Sequence, residues 1–237
     1  MNTRNLAKPA YDEWEKLLAL LQRVGYDGKV PSQLFAIALA TNSHEIAHAM
    51  FKLSENDVDA GQPTLLRALL ESSARFVYLA KNPDGNTLKL ELADVKEGLK
   101  AVGRNQTDGE DSQQRELRAN LLSREQALAK QSVKCAPSIY DIVCEVGSSE
   151  LYRVYRGLSA HVHAQWSALA QRSVKQNERG PYVVAYSQFD ATTLDFLWWA
   201  VETLLAAIRN DFDKFRFENI PEPTLHTSRS KFVDDPQ

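Results

Sequence analysis

Apolar residues recur at helical spacing along most of the chain, and prolines mark where the repeats begin. Pro9 opens a first helical pattern that runs to about Val24 and is ended by the turn-forming stretch GYDGK. Pro31-Ser32 starts a long alanine-rich pattern through FAIALATNSHEIAHAMFKL, with Leu34, Ile37, Ala38 and Thr41 as its apolar stripe, and the polar stretch SENDVDAGQ breaks it. Pro63 stands where a first-turn proline belongs, and the apolar helix TLLRALLESSARFVYLA follows it to Asn82-Pro83. From Lys89 to Lys134 charge takes over, with a break at GRNQTDGEDS, which predicts a solvated helical hairpin projecting from the core. Pro137 and then Ser148-Ser149 open two further helices. Arg179-Gly180-Pro181 before the alternating PYVVAY predicts one short β-hairpin. A final amphipathic helix from Thr192 to Phe217 offers Phe196, Trp199, Leu205, Ile208, Phe212 and Phe215 to the core. The pattern predicts an all-α fold, a helical bundle of about six to eight helices with a charged helical hairpin and one short β-hairpin. It is expected to form a single helical domain over residues 1–222, with the hairpin at 89–134, followed by a polar, disordered tail at 223–237.

Composition adds little to this picture but narrows the function. The chain of 237 residues is long enough for a sizeable core and suits one domain, and 43% apolar with 25% charged residues is ordinary for a globular protein. Only 10 Gly and 9 Pro argue against a β-rich fold with frequent turns. A net charge of −3 gives no global signature of nucleic-acid binding, so any such surface must be local. Cys135 and Cys144 form no metal-binding spacing and read as thiols of a reducing compartment. The N-terminal stretch MNTRNLAKPAYDEWEK has no apolar signal core, and the longest apolar run, Phe196 to Ile208, falls short of the roughly 20 residues of a membrane span. A cytoplasmic protein without membrane contact is expected.

The segment YRVYRGLSAHVH concentrates the candidate chemistry. On a helix of about 100° per residue, Leu151, Val154, Tyr155, Leu158 and Val162 form one apolar stripe. Tyr152, Arg156, Ser159 and His163 fall within roughly 60° of one another on one flank, and His161 falls on the other. One reading makes these satisfied boundary residues; the other makes Arg156 an anion holder and His163 a proton exchanger. Arg67 and Glu71, one turn apart in LLRALLESS, are either a structural ion pair or partners of Arg156 and His163 in one pocket.

The LLRALLES helix followed much later by YRGLSAHVH resembles an all-helical bacterial family of unknown function, similar in turn to the HEPN superfamily (higher eukaryotes and prokaryotes nucleotide-binding). The resemblance in layout runs from Gln33 to Phe215, and its specific part is these two motifs. HEPN ribonucleases carry Arg, four to six residues, then His; Arg156 to His161 fits the shortest spacing and Arg156 to His163 the longest. The resemblance implies metal-independent RNA cleavage, or nucleotide binding, in the cleft of a homodimer, in stress or phage defence. His163 would then move a proton at the 2′-hydroxyl while Arg156 stabilises charge on the phosphate, with Tyr152 and Ser159 beside them. No cofactor is implied.

Two other readings compete. His44-Glu45-Ile46-Ala47-His48 is a complete HExxH, which suits a zinc hydrolase with His44 and His48 as ligands, Glu71 as the third and Glu45 as base. Without metal, His44 or His48 could line the pocket of Arg67 and Glu71. In the third reading the chain is a non-enzymatic helical interaction module whose charged hairpin presents the partner surface.

Overall fold

In the computed structural model the first three helices start where the prolines stand. Helices α1 (Lys8–Leu21), α2 (Pro31–Glu55) and α3 (Gln62–Lys81) each carry Pro in their first two positions, and none has a side-chain cap. Proline has no N–H to leave unsatisfied there and its φ already suits the helix. They are followed by α4 (Pro83–Arg104), α5 (Ser112–Lys130), α6 (Ile139–Val146), α7 (Ser149–Val162) and α8 (Ala191–Asp211), which ends in a 3₁₀ turn at Phe212–Phe215. The structure describes residues 7–56, 58, 61–104, 112–146, 149–162, 174–176, 182–184 and 191–219. The expected tail at 223–237 lies outside them.

Helix α3 is the centre of the bundle. Leu66, Leu69, Leu70, Phe76 and Leu79 are buried along it, and α2, α6, α7 and α8 all pack against it. The α2 face that meets α3 is built from small residues. Ala36, Ala40, Ser43 and Ala47 are fully buried, whereas Leu34 is exposed; the stripe expected at Leu34, Ile37, Ala38 and Thr41 is therefore not the buried one. Small side chains let the two backbones come close enough for polar stitching. The Leu39 carbonyl accepts hydrogen bonds from Ser43 Oγ at 2.8 Å and Ser72 Oγ at 3.1 Å, and Asn42 Nδ2 donates to Ser72 Oγ at 3.2 Å.

The final helix buries four of its six expected core residues, Leu205, Ile208, Phe212 and Phe215, and leaves two outside. Leu194, Leu197, Trp198, Val201, Leu204, Leu205 and Ile208 point inward with Phe212 and Phe215, while Phe196 and Trp199 lie outside at 46% and 40% exposure. Five stacked or edge-on rings (Tyr11, Trp14, Phe51, Trp198 and His44) bind α1, α2 and α8 together. Glu13 of α1, almost buried, accepts from Arg209 of α8 and from Lys16, each at 2.7 Å. Burial alone would raise its pKa, but the two cations outweigh that and hold it ionised.

The charged hairpin is α4 and α5, and it begins at Pro83, six residues before the expected Lys89. Its root is bound to the domain: Leu90 joins the main core, and Asn86 Nδ2 donates to the Tyr78 carbonyl at 2.7 Å. Further out α5 packs on α4 through buried Leu92, Val95 and Leu128, with Arg124 forking onto Glu91, while Leu117 and Leu122 face solvent. The expected β-hairpin pairs Val174–Gln176 with Tyr182–Val184, antiparallel. A second antiparallel pair, Val24–Gly25 with Glu218–Asn219, was not legible from the pattern. No described helix is long and apolar enough to cross a membrane.

Candidate functional site

Helix α7 lies on α3 as its pattern requires: Leu151, Val154 and Tyr155 are buried and Leu158 is half-buried. On the predicted flank Tyr152 is half-buried and Arg156 exposed. Ser159 and His161 belong to the helix, but their side chains, and all of His163, fall outside the described residues, as does the Val162 side chain. The flank is therefore built by Tyr152 and Arg156 together with one residue that the sequence did not single out, Tyr140.

Tyr140 comes from α6, whose start is fixed by Ser138. The Asp141 amide donates to Ser138 Oγ at 3.2 Å, and that hydroxyl donates to Asp141 Oδ2 at 2.7 Å, a reciprocal cap. The cap sets Tyr140 in the first turn, and the α6–α7 turn brings its ring edge-on to Tyr152 at 5.3 Å, with the two hydroxyls hydrogen-bonded at 2.7 Å. That bond to Tyr152 pushes the Tyr140 phenol above its usual pKa, and the positive charge of Arg156 works against the rise. Two hydroxyls and a guanidinium thus share one shoulder, a donor set suited to an anion.

Arg67 and Glu71 meet α7 one position further round. Arg67 Nε donates to Glu71 Oε1 at 2.9 Å, and its guanidinium lies over the Tyr155 ring, 5.2 Å from the centroid. Burial pulls the Arg67 pKa down, but the bond to Glu71 and the interaction with Tyr155 outweigh it, so the net shift is upward. Tyr155 belongs to the buried stripe, so among the described residues this group ties α3 to α7 behind the shoulder rather than joining Tyr152 and Arg156 on it.

The HExxH residues are arranged differently from a zinc site. The Trp14 indole lies against both imidazoles, 4.6 Å from His44 and 5.4 Å from His48, and its Nε1 donates to the His44 carbonyl at 3.1 Å. Glu71 is held by Arg67. Among the described residues no three potential ligands come together, so His44, His48 and Glu71 do not form the expected set around Glu45. His44 belongs to the Trp14 cluster, with the exposed His48 at its rim.

Burial first, and then the nearby His48, lower the His44 pKa from 6.5, with Glu45 opposing. The sign of the linkage follows. The unfolded chain takes up a proton at His44 near pH 6.5 and the folded chain does so only at lower pH, so stability is full above 6.5 and declines as pH falls below it. Urea unfolding at pH 7.5 and 5.5 should show a smaller loss for His44→Gln than for the wild type.

A family model described as "Family of unknown function (DUF5677)" matches residues 33–181. The chain belongs to DUF5677. The DUF5677 region runs from the first turn of α2 to Pro181 and so includes Arg67, Glu71, Tyr140, Tyr152, Tyr155, Arg156 and His163, together with the HExxH. Helices α1 and α8 lie outside it. Searches of curated proteins and of solved structures returned no match.

Proposed function

We propose that this DUF5677 protein binds RNA at the α6–α7 shoulder and cleaves it without metal, in the manner of the HEPN ribonucleases that its motifs resemble. The observation that supports the reading is the exposed Arg156 beside the hydrogen-bonded Tyr140–Tyr152 pair. A guanidinium donates two parallel hydrogen bonds to a phosphate, and phenol rings offer both hydroxyls and faces to a single-stranded nucleotide. His163, two turns beyond Arg156 in sequence, supplies the proton transfer. It takes the proton of the 2′-hydroxyl as that oxygen attacks the adjacent phosphorus. The P–O5′ bond breaks as the P–O2′ bond forms, and the leaving O5′ takes up the proton that His163 removed from the 2′-hydroxyl, giving a 2′,3′-cyclic phosphate and a 5′-hydroxyl. No water or metal enters the balance. Arg156 stabilises the charge that builds on the non-bridging oxygens. The resemblance adds a homodimer and a cytoplasmic setting in stress or phage defence.

Binding tests the first half of this reading apart from the chemistry. Arg156→Ala should weaken the affinity for a short single-stranded RNA about tenfold and reduce its logarithmic salt slope by about one. Unchanged affinity in fluorescence anisotropy at two salt concentrations would place the RNA elsewhere.

A further inference from the structure

Among the described residues, helix α8 presents an outer face whose large aromatic side chains stand exposed. Its residues Thr192, Phe196, Trp199, Thr203, Ala206 and Asn210 follow one another in alternating steps of four and three, the spacing of a helix–helix seam. Phe196 and Trp199 stack on each other with centroids 5.5 Å apart and stand 46% and 40% exposed. Beyond them Trp199, Glu202, Thr203, Ala206, Ala207 and Asn210 line a shallow trough. An exposed apolar patch of stacked aromatics calls for a partner, and the seam describes one.

We infer that α8 pairs antiparallel with α8 of a second copy, forming a two-fold homodimer. The size pattern supports this occupant. The wide side chains stand in the first half of the seam and the narrow ones in the second. Antiparallel pairing sets Phe196 against Ala206 of the second copy, Trp199 against Thr203, and Thr192 against Asn210, each layer joining large to small or small to small. Parallel pairing would set Trp199 on Trp199 and leave Ala206 facing Ala206.

Charge agrees. Asp195 and Arg209 lie on the same flank, two heptads apart, so the antiparallel arrangement brings Asp195 toward Arg209 of the second copy at both ends. Arg209 is bound to Glu13 but keeps 34% of its side chain open to solvent. Parallel pairing would place the two copies of this flank on opposite sides of the seam and form no such ion pair. Glu202 falls near the two-fold axis and faces its own copy, an unfavourable contact. The seam spans about 27 Å, shorter than a standard interface requires, so the dimer is reversible, with a dissociation constant on the order of micromolar. The pairing does not depend on the RNA reading.

Sedimentation velocity on the full chain, over about 1 to 300 µM, tests it on the scale of that affinity. The wild type should show a concentration-dependent monomer–dimer equilibrium, and Trp199→Glu should be monomeric. Ala206→Phe should also be monomeric, because two wide side chains then meet in one layer. The double variant Phe196→Ala/Ala206→Phe should dimerise again, since it exchanges large and small within each antiparallel layer. Glu202→Gln, a mild change, should tighten the dimer several-fold. Each variant is checked for wild-type helicity by circular dichroism. A wild type that stays monomeric throughout, a Trp199→Glu dimer, a folded double variant that fails to reassociate, or an unchanged Glu202→Gln affinity would overturn the proposal.

Discussion

Arg156→Ala should slow RNA cleavage on the order of 10²- to 10³-fold while leaving the fold intact. The side chain is exposed, so its removal should change stability by no more than about 0.5 kcal/mol. Its contribution is largest when charge accumulates on the phosphate oxygens, so the rate constant should fall more than the affinity. Lysine keeps the charge but not the planar fork, and Arg156→Lys should recover only part of the rate. His163→Ala removes the proposed proton acceptor and should by itself reduce cleavage about 10²- to 10⁴-fold, roughly the range of general acid–base catalysis. Single-turnover rates on a defined oligonucleotide, with thermal unfolding of each variant as control, check all three.

The second large effect is on stability. Arg67→Ala should cost about 2–3 kcal/mol, since it removes the guanidinium from the Tyr155 ring, breaks the 2.9 Å bond to Glu71 and leaves a gap between α3 and α7. Glu71 is about one-third exposed, so water replaces part of what the ion pair supplied. Arg67→Met keeps the packing over Tyr155 and should cost about 1 kcal/mol. Urea unfolding measures both. Should Arg67 instead act on RNA, Arg67→Met would lose cleavage at nearly unchanged stability.

The helices were legible because their starts are written in proline and serine: Pro9, Pro31, Pro63 and Pro137-Ser138 all stand at or next to real helix beginnings. Which face turns inward was harder to read. Hydrophobicity nominates Leu34 over Ala36, and Phe196 and Trp199 ahead of their neighbours, yet α2 buries its small residues because α3 approaches closely there. The inward face of α8 is set by what α1 and α3 offer it. Of the candidate site, the placement of Tyr152 and Arg156 on the shoulder of α7 followed from helix geometry alone. Tyr140 was not legible, since nothing local in IYDIVCEV says that α6 will fold back onto α7. Trp14 was equally hidden. The HExxH spacing, complete in sequence, cannot reveal that an indole from α1 lies across both imidazoles.

The most direct test of the account is incubation of wild type and His163→Ala with total RNA in excess EDTA, followed by analysis of the new ends. The account predicts fragments ending in 2′,3′-cyclic phosphate and 5′-hydroxyl with the wild type, and intact RNA with the variant. Intact RNA with both proteins, or equal cleavage by both, would contradict it.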